Sequence, residues 1–170
     1  MIAAGIATPL LPRIGTKPVI ITGALIAAGG LYYLSHVPVD GTFLGDLLPG
    51  IGIVASGAGF VFTGVTTAAT EGVPSDKAGI ASGLLNASMQ FGGALGLAVL
   101  SAAATDRTNG VLQTGGNLPL ALTAGFQRAF LIGTGLLLVA AVIAFRATNT
   151  RAGEHTARPE PMLTLIPEEA

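Results

Sequence analysis

The chain has 170 residues, of which 51% are hydrophobic and only 10% are charged. A soluble domain typically carries about 25% charged residues, so this composition indicates that lipid rather than water surrounds most of the chain. The formal net charge of −1 excludes a strongly basic nucleic-acid binder, and the absence of cysteine excludes disulfide bonds and thiolate metal sites.

Charged residues divide the chain into four long apolar spans that follow a shorter apolar segment. Residues 1–12 are uncharged but too few to cross a bilayer, so they are predicted to be half of a helix whose other half is missing. The complete spans are predicted at about 18–35, 47–70, 78–104 and 126–145. The predicted fold is therefore all-α, an integral membrane helical bundle of about four transmembrane helices plus an N-terminal half-helix.

Short polar segments connect these predicted spans. Residues 12–17 and 71–77 are predicted to be tight turns, whereas 105–125 is polar, glycine-rich and contains Pro119, which predicts a loop with room for a short surface helix. After Arg146 the composition changes abruptly to charged residues and prolines. Residues 1–146 are therefore predicted to form the membrane unit, and 147–170 a disordered tail.

The distribution of lysine and arginine predicts how the spans are oriented. The four-span arrangement places two arginines on one side of the membrane and six basic residues on the other. The positive-inside rule then places the two tight turns and the C-terminal tail in the cytoplasm. The larger group consists of Arg13, Lys17, Lys77, Arg146, Arg151 and Arg158, and the smaller group of Arg107 and Arg128.

The third span contains two glycine pairs at the spacing of helix-packing motifs. Gly79 and Gly83 form one pair, and Gly92 and Gly96 form the other. Residues four apart lie on one helix face, and the missing side chains let a second helix approach closely. The pairs predict helix packing, either within the bundle or at a dimerisation face. The second span is also rich in glycine and is predicted to pack closely.

Polar side chains in the middle of the spans are the candidates for substrate contact. Asn86 and Gln90 lie four residues apart and therefore on one face of the third span. An amide at bilayer depth is costly unless it meets a partner or water, so the pair predicts either an interhelical hydrogen bond or a cavity wall. Thr63 in the second span is a weaker candidate, because threonine can bond to its own helix.

The sequence lacks the residues that proton coupling, metal binding or catalysis would require. No Asp, Glu, Lys or Arg lies centrally in a predicted span, and Asp46 at the edge of the second is predicted to be a cap rather than a proton carrier. His36 and His155 are too far apart to indicate a metal site. No catalytic set or nucleotide-binding loop is present, so the sequence predicts no enzymatic activity, no metal and no cofactor.

Two stretches of sequence resemble a known family. The first is Leu-Pro-Arg-Ile-Gly-Thr-Lys at 11–17, and the second runs from Gly-Val-Pro-Ser-Asp-Lys at 72–77 through Gln-Phe-Gly-Gly-Ala-Leu-Gly at 90–96. With these stretches the chain resembles the C-terminal part of a major facilitator superfamily transporter of the fourteen-helix drug/proton antiporter type. Arg13, Gly15 and Lys17 match the family's cytoplasmic loop motif, although Pro12 stands where an acidic residue is common.

The resemblance implies a function and a set of partners. It implies a C-terminal fragment of a multidrug-type, proton-coupled efflux transporter in the cell (plasma) membrane, inactive alone. Asn86, Gln90 and Thr63 would then line a cavity for a small-molecule substrate. The third span would pack against the N-terminal half of the transporter, if that half is separately encoded, and lipid would surround the rest. The alternative is a stand-alone small membrane protein that acts as an accessory or oligomeric subunit.

Overall fold

Four helices make up most of the computed structural model, which describes residues 15–70 and 73–146. They are α1 (Thr16–Leu34), α2 (Leu48–Thr70), α3 (Ala78–Gln113) and α4 (Leu118–Arg146). A π-helical turn, Phe43–Leu47, leads into α2, and a 3-10 turn, Ser75–Lys77, leads into α3. Each helix, with its leading turn in the case of α2, is long and apolar enough to cross a membrane. The predicted all-α membrane fold is confirmed, whereas the predicted half-helix at 1–12 and the tail at 147–170 lie outside the described residues.

The segment between the third and fourth helices differs from the predicted loop. Helix α3 continues to Gln113 and α4 begins at Leu118, so the loop prediction for 105–125 is wrong over most of its length. Asn117 caps α4, because its side-chain Oδ1 accepts a hydrogen bond from the Leu120 N–H at 3.0 Å. Pro119 then falls in the first helical turn, where its missing N–H costs little. Gly115 reverses the chain with a φ of 84°, a conformation that suits glycine.

The beginning of α2 is fixed by a reciprocal cap. The Asp46 carboxylate accepts a hydrogen bond from the Thr42 N–H at 2.7 Å, and the Thr42 hydroxyl accepts one from the Gly45 N–H at 3.3 Å. This pairing satisfies N–H groups that a helix start leaves without partners. Asp46 is therefore a helix cap, as its position at the end of the span predicted.

Helix α1 lies at the centre of the helix contacts. It packs against α2 on one side and against α4 on another, and α4 packs in turn against α3. Most of the buried side chains lie on α1, among them Val19, Ala24 and Ala27. Helices α2 and α3 are neighbours in sequence but touch only slightly. The contacts therefore run in the order α2, α1, α4, α3.

Glycines hold α1 and α2 in close contact along a line that we call the glycine seam. Its members recur every seven residues, or about two turns, so those of each helix lie on one face. At each of them a Cβ atom would come within 3 Å of the opposite helix. The two backbones therefore approach too closely for any larger residue, the packing typical of membrane helices. The seam consists of Gly23 and Gly30 on α1 and of Gly50, Gly57 and Gly64 on α2.

Contacts at both ends fix α1 and α4 in an antiparallel register. At the start of α1 the Lys17 Nζ lies 4.8 Å from the centre of the Phe145 ring, near the end of α4. Just beyond the end of α1 the Gln127 side-chain amide donates a hydrogen bond to the Val37 carbonyl at 2.9 Å. These two contacts mark the two ends of the bundle.

Candidate substrate cavity

Helix α3 is the exposed member of the bundle. No residue of this helix is buried, whereas each of the other three helices has buried positions. Large apolar side chains on it, such as Phe91 (73% exposed) and Ile80 (74% exposed), have little protein around them. In a membrane such side chains face lipid or a further protein surface.

The glycine pairs of α3 are exposed in the same way. A Cβ added at Gly79, Gly83, Gly92 or Gly96 would meet nothing within 4 Å. Among the described residues these glycines thus lie at no helix contact, and their predicted packing role stays a prediction. The close packing predicted for the second span is what the glycine seam shows.

The three predicted substrate-contacting residues lie in different surroundings. Asn86 and Gln90 are exposed on α3, and neither side chain has a hydrogen-bond partner in the described parts of the chain. The half-buried Thr63 donates its hydroxyl to the Gly59 carbonyl of its own helix at 2.9 Å. This bond satisfies the threonine locally, which leaves the amide pair as the stronger candidate.

A cavity of about 520 Å³ lies where α3 packs on α4 beside the end of α1, and we call it the α3–α4 cavity. Its size is that of typical small-molecule sites. Most of its wall is apolar, and three hydroxyl groups from α3 are the polar exceptions. Its main residues are Leu31, Leu97, Leu100, Ser101, Ala104, Thr105, Thr108, Leu122, Phe126 and Phe130.

The face of α3 that bears the amide pair continues into this cavity. Leu97 lines the cavity and follows Gln90 by seven residues, which is about two helical turns and returns to the same face. Further along that face Ala104 and Thr108 contact α4 at Gly125. Helix α3 is thus held against α4 by its second half, and its first half presents the amides on the uncovered continuation of the cavity wall.

A second cavity, of about 370 Å³, lies at the end of the bundle marked by Gln127 and Val37. It is bounded by the loop after α1, the start of α2 and the side of α4, and its lining is mainly apolar. Neither cavity is lined by Asn86, Gln90 or Thr63. Neither cavity therefore brings the three predicted residues together, although Asn86 and Gln90 share one face of α3.

The hydroxyl groups of the α3–α4 cavity are not among the candidate residues predicted from the sequence. Thr105 and Thr108 fall in the predicted loop, because polar residues and glycines follow them. A helical signal was nevertheless present: Leu100, Ala104, Thr108 and Val111 recur every three or four residues.

The loop motif lies partly within the described residues. Gly15 precedes α1 with a φ of 84°, which favours glycine, and Lys17 contacts α4 through Phe145. Arg13 lies outside the described residues. Lys17 thus joins two neighbouring helices, while the role of the motif in transport stays a prediction.

Sequence comparisons reveal several relatives. The chain is 32% identical over 152 residues to the puromycin resistance protein pur8 of Streptomyces alboniger, covering 86% of the chain and 30% of the relative. It is 33% identical over 134 residues to the cephamycin export protein CmcT of Amycolatopsis lactamdurans, covering 79% and 26%. It is 30% identical over 115 residues to a tetracenomycin C resistance and export protein of Streptomyces glaucescens, covering 65% and 20%.

These relatives are drug resistance and export transporters of the major facilitator type, and the chain matches a C-terminal fragment of such a transporter. The resemblance predicted from the sequence is confirmed, and the chain spans 30% or less of the length of these three relatives. No family model matches the chain, and no solved structure matches it significantly. The four long apolar helices and the transporter relatives identify a membrane protein.

Proposed function

We propose that the chain supplies the C-terminal helices of a multidrug-type, proton-coupled efflux transporter and does not transport alone. Its relatives are transporters, which supports a non-enzymatic role. Alternating access requires one bundle to rock against another around a site at their interface. The four described helices supply only one such body.

The uncovered face of α3 is the observation that carries this proposal. Its glycines meet nothing, and two amides at bilayer depth have no partner among the described residues. Polar groups in such positions normally face a bundle interior or an aqueous cavity. The face is therefore the surface on which the N-terminal half of the transporter packs, with Asn86 and Gln90 on the substrate path.

The substrate class follows from the chemistry of the wall. The α3–α4 cavity offers aromatic and aliphatic side chains with few hydroxyl groups, and the amide pair adds donors and acceptors along the same face. This combination suits bulky, largely apolar organic molecules that are oriented by a few hydrogen bonds. The names of the antibiotic exporters among the relatives support that class.

The orientation is proposed from the basic residues. With Lys17, Lys77 and Arg146 in the cytoplasm, the end of the bundle with the α3–α4 turn faces outward. The protein then lies in the cell membrane with its C-terminal tail inside.

Crosslinking tests the proposed partner surface. Because the chain has no cysteine, Gly83→Cys creates its single thiol. In membranes that also hold the N-terminal part of a relative, Gly83→Cys is expected to crosslink to that polypeptide through a short bifunctional reagent. Gly29→Cys is the matched control, because a Cβ there also meets nothing but lies on α1, outside the proposed surface. Equal crosslinking at both positions would contradict the proposal.

Transport by the chain in isolation is the second test. Cells that express it alone are expected to accumulate ethidium to the same level as cells with an empty vector. Active efflux from the chain alone would refute the requirement for a second bundle. A Gly83→Cys crosslink only between two copies of the chain would instead support the oligomeric subunit that the sequence left open.

A further inference from the structure

A polar cavity of about 450 Å³ lies on the outside of the α3–α4 contact. Its lining contains three charged side chains, namely Asp106 and Arg107 on α3 and Arg128 on α4, together with Leu131. It is separate from the α3–α4 cavity, and the proposed transport function uses none of these four residues. We call it the arginine cavity.

The two guanidinium groups of the arginine cavity have no partner in the described parts of the chain. Neither Arg107 nor Arg128 forms a hydrogen bond or an ion pair there, and both are exposed. Arginine offers five donors in a planar fork that matches phosphate oxygens. Two unpartnered arginines on one concave surface therefore indicate an anionic ligand.

Helix lengths place this cavity at the level of lipid headgroups. On α4 the uncharged stretch 129–145 rises about 26 Å, close to the hydrocarbon thickness of about 30 Å, so Arg128 and Arg146 lie at opposite boundaries. On α3 the uncharged stretch 78–105 rises about 42 Å, enough to carry Arg107 past the hydrocarbon core. Since Arg107 and Arg128 line one cavity, the boundary that α4 gives for Arg128 applies to Arg107 as well.

A contact next to the cavity also indicates that the cavity lies at the level of the lipid headgroups. Gln127 also lines the cavity, and its bond to Val37 ties it to the end of α1. That end carries Tyr32 and Tyr33, which are exposed, and tyrosine favours the headgroup region. Leu131 lies about one turn below Arg128 toward the hydrocarbon core and is 45% exposed, where it can contact an acyl chain.

We propose that the arginine cavity binds a phospholipid that carries an amine, with its phosphate held by Arg107 and Arg128 and its ammonium group by Asp106. The position at the membrane boundary, with exposed Leu131 on the side of the hydrocarbon core, favours a lipid over a soluble anion. Asp106 gives the selectivity, because its carboxylate repels a second negative charge in the headgroup and attracts a positive one. The proposal rests on the membrane embedding of the helices and not on transport.

Native mass spectrometry of the purified chain, titrated with phosphatidylethanolamine in detergent, tests the proposal. Arg107→Gln combined with Arg128→Gln is expected to lower the apparent affinity by about tenfold or more, because the phosphate loses both of its charge-assisted donors. Arg146→Gln, at the other boundary, is the matched control and is expected to bind like the unaltered chain. The variants change exposed side chains, and circular dichroism checks that their helices are intact.

Further measurements distinguish between lipid headgroups and between a lipid and a soluble ligand. Asp106→Asn is expected to shift the preference from phosphatidylethanolamine toward phosphatidylglycerol. Unchanged lipid binding in the double arginine variant would overturn the site, and an unchanged preference in Asp106→Asn would overturn the role of the amine. If soluble phosphoethanolamine bound as tightly as the lipid, the ligand would be a soluble phosphate and the lipid proposal would fail.

Discussion

The α1–α2 pair and helix α3 are both rich in glycine, but the surroundings of their glycines differ. A Cβ atom added to any member of the glycine seam would come within 3 Å of the facing helix, whereas one added to a paired glycine of α3 would meet nothing within 4 Å. A small-residue pattern therefore shows that a close approach is allowed. Whether it is used depends on a second surface of matching shape.

Replacing the central glycine of the seam is expected to have the largest effect. A Cβ at Gly57 would collide with the Ala27 backbone nitrogen and lie 2.5 Å from the Gly23 carbonyl oxygen. Gly57→Leu should therefore separate α1 from α2 and lower the free energy of unfolding by about 3 kcal/mol or more. Unfolding in mixed detergent micelles, followed by circular dichroism, measures this loss. Gly52→Leu on the same helix is the control, because a Cβ there meets nothing; an equal loss in both variants would contradict the seam.

Two adjacent glycines of α1 provide a finer comparison. A Cβ at Gly30 would lie 2.7 Å from a Val54 methyl group, whereas one at Gly29 has open space. Gly30→Ala is expected to lower the free energy of unfolding by about 1–3 kcal/mol. Gly29→Ala should change it by about 0.5 kcal/mol at most. The same detergent titration distinguishes them, and a larger loss for Gly29→Ala would mean that the two helix faces are wrongly assigned.

Removal of the hydrogen bond between α4 and the loop after α1 should lower the stability of the chain moderately. Gln127→Leu removes the donor to the Val37 carbonyl, and one hydrogen bond contributes about 1 kcal/mol. Thermal unfolding of the purified chain measures the change. Gln113→Leu, at the exposed end of α3, is the control for loss of an amide and is expected to have no effect. Equal melting temperatures for the unaltered chain and Gln127→Leu would argue against this contact.

Changes on α3 should have the smallest effect on the chain alone. Gly83→Leu is expected to alter its free energy of unfolding by about 0.5 kcal/mol at most, since the position is open. If α3 packs on an N-terminal half as proposed, the same substitution should strongly reduce association with it, measured by co-purification. A loss of stability in the isolated chain would show that the glycine already has a partner there.

The number and type of helices followed from the sequence, because long apolar runs separated by charges leave few alternatives in a membrane. The end of α3 did not, because Thr105, Asp106 and Arg107 resemble the start of a loop. They continue as helix since hydroxyl and charged groups are tolerated where the chain leaves the hydrocarbon core. Asn117 then supplies the cap for the next helix.

The candidate site was predictable only in part. Helical spacing placed Asn86 and Gln90 on one face, and the structure retains this arrangement. Helical spacing could not show that the α3–α4 cavity lies further along the same face. The position of the cavity depends on where α4 crosses α3 near Ala104. Such a crossing is set by long-range packing, which a single sequence does not reveal.

The attachment of α3 by one end has a mechanical consequence. From its contact with Gly125 near Ala104 to Gly79 the helix extends about 38 Å at 1.5 Å per residue. A rotation of 10° about that contact would move the Gly79 end by about 7 Å, while the cavity near Thr108 would barely change. A small rotation at the contact with Gly125 would therefore produce a large displacement at the opposite end of α3.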